Sequence, residues 1–251
     1  MKTFYSTMLF SLVSCFFFSN CLTPKAAIKD SSVFTKAEQK DLTPNQALQL
    51  LKDGNKRFVD DKLIVYHYPE HVKESAKAQA PFAAILSCMD SRTGSETVFN
   101  LGLGDVFNIR IAGNIADAPI LGSLEYACAV AGSKLILVEG HTHCGAIHSA
   151  IDKASGGNIT ALLKPIKHAV EAVPTKAGES RTSSNEHFFE AVIEENVWET
   201  IAHIRSHSET LAKLEREGKI KIVGSLYDIQ TGVITFYEGR DLDKLHSAVH
   251  H

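Results

Sequence analysis

LILVEGH, residues 135–141, consists of four consecutive apolar residues that lead straight into a glutamate, a glycine and a histidine. FAAILSC, residues 82–88, has the same form, an apolar run that ends in a serine and a cysteine. Continuous apolar runs, as opposed to alternating ones, are typical of strands buried on both faces of a parallel sheet. Further β-prone runs at 105–111, 220–224 and 233–237 predict three more strands.

Helical patterns fill the gaps between these strands. Thr43 and Pro44 predict the start of the first helix, as its N-cap and its first helical residue. Longer helical patterns cover residues 122–131, 146–154 and, with breaks, 186–214. Strands separated by helices indicate an α/β fold with a mainly parallel four-stranded sheet and flanking helices. A tight turn at Thr231-Gly232 predicts that the last strand is an extra antiparallel strand at the edge.

Composition excludes several classes of protein. The chain has 251 residues, of which 44 % are hydrophobic and 22 % charged, and its formal net charge is -3. These values are ordinary for a soluble globular protein, and the length predicts one domain of about 200 residues with appendages. Without a basic excess, the chain has no electrostatic signature for nucleic acid or for an anionic membrane surface.

The N-terminus differs from the rest of the chain. Residues 1–21 combine one early lysine with a short apolar stretch and a polar boundary, which predicts a secretory signal and export, in a bacterium to the periplasm. Leu12-Val13-Ser14-Cys15 also resembles a lipobox, so a lipid anchor is one alternative; an uncleaved membrane anchor and a buried helix are the others. A polar linker is expected at 22–41, the domain at 42–240 and a tail at 241–251.

The cysteine count favours metal binding over disulfides. Of five cysteines, three lie in the predicted domain, Cys88, Cys128 and Cys144. An odd number does not suit a disulfide framework, although free thiols in an oxidising compartment tend to form disulfides. Ligation to a metal would protect a pair of them as thiolates.

Two loops carry the candidate chemistry. Cys88-Met89-Asp90-Ser91-Arg92 and Gly140-His141-Thr142-His143-Cys144 each follow an apolar strand. Ligand sites in open parallel sheets gather at the carboxyl ends of the strands, so these loops can converge. Cys88, His141 and Cys144 form a zinc-ligand set with one position left for solvent, although spacing alone also allows a structural zinc site. Asp90 suits either a fourth ligand or a hydrogen bond to metal-bound solvent, and Arg92 can clamp its carboxylate.

The two loops resemble the signatures of the β-carbonic anhydrase family, C-x-D-S-R and H-x-x-C-G, and match both without a mismatch. The resemblance extends over residues 42–238. Other matching segments are GNKRF at 54–58, GLGDVF at 102–107, RIAGN at 110–114, SLEYA at 123–127 and YDIQTG at 227–232.

The resemblance implies zinc-dependent reversible hydration of carbon dioxide to bicarbonate, with Cys88, His141 and Cys144 as zinc ligands and Asp90–Arg92 as a catalytic dyad that orients the nucleophile. It also implies a homodimer or tetramer, with an N-terminal helical arm embracing the partner subunit. Some members carry a tryptophan three residues before the first signature cysteine, associated with a non-catalytic bicarbonate site. Ile85 stands there in this chain. We therefore expect the open resting form, in which Asp90 pairs with Arg92 and does not ligate zinc.

Three other functions compete with this interpretation. Hydrolysis of carbonyl sulfide or carbon disulfide on the same scaffold is compatible with every residue above. A non-catalytic zinc protein would be expected to lack Asp90 or Arg92, and both are present. A thiol redox protein would use Cys88 and Cys144, but no C-x-x-C is present. Within the zinc loop, His143 is either a proton relay or a solvated loop residue.

Overall fold

The computed structural model of the chain describes residues 32–176, 178–237 and 239. The predicted signal at 1–21, the first part of the predicted linker and the tail at 241–251 lie outside these residues. Among the helices of the described residues, none combines the length and the apolar character that crossing a membrane requires.

One five-stranded sheet organises the fold, with the strand order β2-β1-β3-β4-β5. The strands are β1 (Ala83–Ser87), β2 (Val106–Arg110), β3 (Leu135–His141), β4 (Lys221–Tyr227) and β5 (Ile234–Tyr237). The first four pair in parallel, and β5 pairs antiparallel to β4 after a turn in which Gly232 has φ 76°. The predicted α/β fold is confirmed, including the antiparallel edge strand.

Helices cover both faces of the sheet. In the described residues they are α1 (Lys36–Asp41), α2 (Pro44–Val59), α3 (Tyr68–Ser75), α4 (Ser95–Val98), α5 (Ala118–Glu125), α6 (Gly145–Ile151), α7 (Gly157–Leu163), α8 (Ile166–Ala172), α9 (Glu186–His207) and α10 (Glu209–Arg216). Side chains of α2 and α4 pack with alternate residues of β1 and β3 in one apolar cluster. Those of α5, α9 and α10 pack with the other alternate residues on the opposite face.

Two segments differ from the sequence predictions. The described part of the linker expected at 22–41 contains helix α1, and Thr35 caps this helix. Gln39 is buried there, and its amide donates to the carbonyl of Pro81 at 2.6 Å, which explains why this polar segment is ordered. The helix predicted at 122–131 begins earlier, at Ala118, where Asp117 provides the N-cap, and its second half is a π-helical turn.

A third apolar cluster lies at the carboxyl ends of β1 and β3. It joins Cys88 and Cys144 to buried residues of α6, α8 and α9. Asn196 of α9 ties this cluster to the loop after β2, because its amide donates to the carbonyl of Gly113 at 2.9 Å. The two cysteines are thus held in a packed, largely apolar environment at the carboxyl ends of the strands.

Candidate metal centre

The loop after β1 is held by hydrogen bonds from side chains to its backbone carbonyl groups. Cys88 is only 4 % exposed. The hydroxyl of Thr93 donates to the carbonyls of Cys88 and Asp90, at 3.1 Å each. Arg110, the last residue of β2, donates from Nε to the carbonyl of Cys88 at 3.0 Å and from its terminal nitrogen to the carbonyl of Asp90. These bonds turn the chain so that Asp90 follows Cys88 on the same side of the loop.

The second loop begins where β3 ends. His141 is the last residue of β3, and Cys144 is the N-cap residue of α6, so one short turn separates strand and helix. His143 has a positive φ of 56°, which an L residue adopts only in such tight turns. The turn reverses the chain between His141 and Cys144 and brings both side chains to the same side.

The structure brings together the three predicted ligands. The ligand atoms of Cys88, His141 and Cys144 all lie within 4.8 Å of one another, and the two sulfur atoms are 3.9 Å apart. All three residues are buried. In the described part of the chain this is the one such group of three histidine, cysteine or acidic side chains.

The hydrogen bonds of His141 prepare one ring nitrogen for a metal. Nδ1 lies 2.9 Å from the carbonyl of Thr142, and because a carbonyl only accepts, Nδ1 carries the proton. Nε2 is buried, has no hydrogen-bond partner among the described residues, and lies within 4.8 Å of the two sulfurs. A buried imidazole nitrogen without a partner is costly unless it binds an ion. Two sulfurs and one imidazole nitrogen are the donor set of zinc enzymes with an open position, so these residues fit zinc.

The two thiols have opposite ionisation tendencies. The hydrogen bond from Cys144, supported by the backbone N–H of Gly113, lowers the pKa of Cys88 to about 4. The same sulfur–sulfur contact, together with burial, raises the pKa of Cys144 above its ordinary value. The pair therefore readily releases one proton, and a cation is needed to stabilise a second thiolate beside the first.

Asp90 and Arg92 form a bidentate ion pair beside the ligands. Arg92 Nε and its terminal nitrogen donate to the two carboxylate oxygens at 2.9 and 2.8 Å, and its backbone N–H adds a third bond at 3.0 Å. These bonds hold the pKa of the Asp90 carboxyl well below its usual range. One oxygen of Asp90 also lies 4.0 Å from Nε2 of His141, so the carboxylate borders the metal position.

His143 does not share the site of the three ligands. Its side chain is exposed, and its Nε2 lies 3.2 Å from the amide nitrogen of Gln230. The contacts of His143 within the described residues include none with Asp90 or with the three predicted ligands, so they do not support a role as a proton relay.

Three neighbouring residues were not predicted from the sequence as parts of this site. Thr93 and Arg110 shape the first loop, and Glu139 lies on β3 two residues before His141 with 1 % exposure. Burial raises the pKa of Glu139 to about 8, and the charge of Arg110 partly opposes this rise. A carboxylate inside an otherwise apolar strand was the available signal for Glu139. A charge at the last position of β2, on the same sheet edge, was the signal for Arg110.

Comparison with known proteins agrees with this geometry. The carbonic anhydrase family profile matches residues 83–234. Carbonic anhydrase 2 of Mycobacterium tuberculosis is 34 % identical over 198 residues, covering 75 % of this chain and 90 % of the relative. The carbonic anhydrase of Mycolicibacterium smegmatis is 35 % identical over 198 residues, covering 75 % and 91 %. A tetrameric β-carbonic anhydrase of the fungus Sordaria macrospora has the same fold, with a TM-score of 0.59 and 23 % identity over 76 % of this chain and 97 % of its own. With this family match and the sheet order, helices and Cys-His-Cys group described above, the chain belongs to the β class of the carbonic anhydrase family.

Proposed function

We propose that the protein catalyses the zinc-dependent, reversible hydration of carbon dioxide to bicarbonate and a proton. One observation carries this proposal: two thiol sulfurs and an unpartnered imidazole nitrogen lie within 4.8 Å of one another beside an ionised carboxylate. Membership of the carbonic anhydrase family supports the same reaction.

Cys88, His141 and Cys144 would hold the zinc ion. When bound, zinc supplies Lewis acidity that lowers the pKa of water from about 15.7 towards neutrality. The backbone N–H of Gly113 lies 3.5 Å from the sulfur of Cys88 and stabilises its thiolate. The carbonyl of Thr142 keeps the proton of His141 on Nδ1, so Nε2 stays available as a ligand.

Asp90 acts as the orienting group for the attacking oxygen. Because its pKa is held low, the carboxylate is ionised at every working pH and can only accept hydrogen bonds. It therefore accepts the O–H of the attacking oxygen and turns the remaining lone pair towards carbon dioxide. Arg92 fixes the plane of this carboxylate through two parallel bonds, which also keep Asp90 from swinging onto the metal position.

Stopped-flow measurement of carbon dioxide hydration across pH, with zinc determined on the same sample, tests this function. We expect rapid hydration in zinc-containing protein, with activity that rises with pH, because two thiolates donate more charge than imidazoles and make bound water harder to ionise. Parallel assays with carbonyl sulfide and carbon disulfide separate the related hydrolases. Metal-free protein of full activity would contradict the proposal.

We further propose that the protein works as an oligomer and is exported. The assembly is supported by the tetrameric Sordaria macrospora relative of the same fold. Light scattering of the purified protein, expected at the mass of a dimer or a tetramer, tests it. Export is supported by the signal-like composition of residues 1–21. Fractionation of the native cells, followed by mass spectrometry of the mature N-terminus, separates a cleaved signal from a lipidated Cys15.

A further inference from the structure

A row of polar side chains crosses the sheet directly beneath the metal centre. In the strand register, Arg110 of β2 pairs with Ser87 of β1, Ser87 pairs with Glu139 of β3, and Glu139 pairs with Ser225 of β4. Paired positions of neighbouring parallel strands place their side chains on the same face of the sheet. Four adjacent strands thus present one continuous polar row within an otherwise apolar sheet.

The inner three residues of this row are buried without partners. Ser87 and Ser225 are 0 % exposed and Glu139 is 1 % exposed. Among the residues that the structure describes, neither hydroxyl and neither oxygen of the carboxyl group has a hydrogen-bond partner. Buried polar atoms are almost always bonded to protein or to ordered water, and an unbonded one destabilises the fold. Four such atoms in neighbouring side chains therefore indicate a shared hydrogen-bond partner.

The row adjoins the metal centre through the next pair of residues along the strands. His141 and Tyr227 pair in register, and each lies two positions beyond a member of the row, on the same face. Burial raises the pKa of Tyr227, and the charge of Glu139 raises it further while that of Arg92 lowers it. Tyr227 therefore lies within electrostatic reach of both the buried row and the arginine that holds Asp90.

Water is the partner that this chemistry selects. Two hydroxyls and a carboxyl group offer both donors and acceptors, and a buried water makes about three hydrogen bonds. At the other end the row reaches Arg110, an exposed residue of the edge strand β2, so the row ends at the solvent-exposed edge of the sheet.

We propose that Ser87, Glu139 and Ser225 hold ordered water beneath the metal centre, and that this water carries away the proton released in each hydration. In the hydration step, carbon dioxide and water give bicarbonate and one proton. This proton passes along the water molecules to a buffer base in solvent. Glu139 is a positioning residue here, because it orders the water by hydrogen bonds and its own ionisation is not required. This role depends on the proposed function, since hydration is what releases the proton.

Kinetics of Glu139→Leu, Glu139→Gln and Ser225→Ala, each normalised to bound zinc, test the route. In dilute buffer we expect Glu139→Leu to lower kcat on the order of tenfold or more, because proton export becomes limiting, while kcat/KM stays near the wild-type value. Concentrated imidazole buffer should restore kcat. Glu139→Gln keeps the hydrogen bonds and should retain most of kcat in dilute buffer, and Ser225→Ala should show a smaller loss of the same kind.

Two kinetic results would overturn this route while leaving the proposed function intact. One is an active wild type whose kcat in dilute buffer is unaffected by Glu139→Leu and by Ser225→Ala. The other is a parallel fall of kcat and kcat/KM that concentrated buffer does not relieve, which marks a structural role. High-resolution crystallography of the wild type gives a readout independent of activity: a dry row, with no water within hydrogen-bond distance of the Glu139 carboxyl group, also overturns the proposal.

Discussion

At the scale of the residue, the three buried residues proposed as zinc ligands differ from other buried residues in the groups that surround them. The sulfurs of Cys88 and Cys144 face each other at 3.9 Å, and Nε2 of His141 has no partner. Cys128 is equally buried, but only apolar burial acts on it and raises its pKa to about 12. Cys128 therefore behaves as a small apolar side chain and provides a matched control for the ligand cysteines.

Cys144→Ser should remove most of the bound zinc, because a serine hydroxyl does not ionise as a thiol does and leaves two protein ligands. Cys128→Ser should retain zinc, at a modest cost in stability from burying a hydroxyl. Elemental analysis of both variants after the same purification provides the measurement. Equal zinc content in the two proteins would show that Cys144 is not a ligand.

Asp90→Ala should keep zinc and lose most hydration activity, on the order of 10²-fold or more, because the group that orients the attacking oxygen is gone. Asp90→Asn is the conservative companion: its amide keeps an acceptor but loses the charge that pairs with Arg92. Stopped-flow assays with zinc content measured on each sample decide the point. Turnover near wild type in Asp90→Ala would contradict the assigned role.

The predicted site residues could be singled out from the sequence because their types are chemically unusual in those places. Two cysteines and a histidine at the ends of neighbouring strands match the donor set of zinc, and Asp90 with Arg92 adds a charge pair beside them. Glu139 was not assigned a role, because its neighbours are apolar and its significance depends on which residues of β1 and β4 lie beside it. That register is a property of the assembled sheet.

At the scale of the element, continuous apolar runs located the strands well, since burial on both faces leaves little choice of residue. Strand β3 nevertheless extends beyond its apolar run to His141, because pairing with β4 continues as far as Tyr227. Helices α7 and α8 were not predicted. Each has only seven residues, too few turns for helical periodicity to stand out, and each is ordered by packing of Leu163, Ile166 and Ala169 in the third apolar cluster.

Two helical glycines offer a matched test of how closely elements approach. A Cβ atom at Gly54 of α2 would lie 2.0 Å from the backbone oxygen of Phe99, whereas one at Gly122 of α5 would meet nothing within 4 Å. Gly54→Ala should destabilise the protein by about 1–3 kcal/mol or more, since α2 must move away from the segment after α4. Gly122→Ala should stabilise it by about 0.5–1 kcal/mol, as alanine favours an exposed helical position. Urea unfolding of both variants measures the difference, and equal effects would refute it.

At the scale of the whole molecule, stability should vary with pH because folding shifts the pKa values of different carboxyl groups in opposite directions. Asp105, at the start of β2, is 5 % exposed and accepts a hydrogen bond from the backbone N–H of Gly102 at 2.7 Å. Burial raises its pKa from 3.8 to about 6, and the nearby His71 only partly counters this. Between these values the native state keeps the proton while the unfolded chain releases it, so this group's contribution to stability falls as pH rises from about 4 to about 6.

Asp105→Asn should remove that loss, because the amide stays neutral and still accepts from Gly102. The variant should gain stability relative to wild type as pH rises through this window, by at most about 3 kcal/mol. Unfolding curves of both proteins between pH 4 and pH 7.5 check the trend. Asp60→Asn is the control of opposite sign, because the hydrogen bond from Lys56 lowers the pKa of Asp60 and its contribution is lost as pH falls. A pH-independent difference between wild type and Asp105→Asn would contradict the assignment.

The meeting of two loops at one sheet edge also makes the proposed ion a cross-link. Cys88 and Cys144 are 56 positions apart in the chain, so an ion that grips both closes a long loop. If the unfolded chain kept the ion bound to both cysteines, the loss of its conformational entropy would stabilise the native state by about 4 kcal/mol. If unfolding releases the ion, the native state is stabilised by the free energy of ion binding instead. In either case we expect a strong chelator to destabilise the whole domain as well as to abolish activity at the metal site.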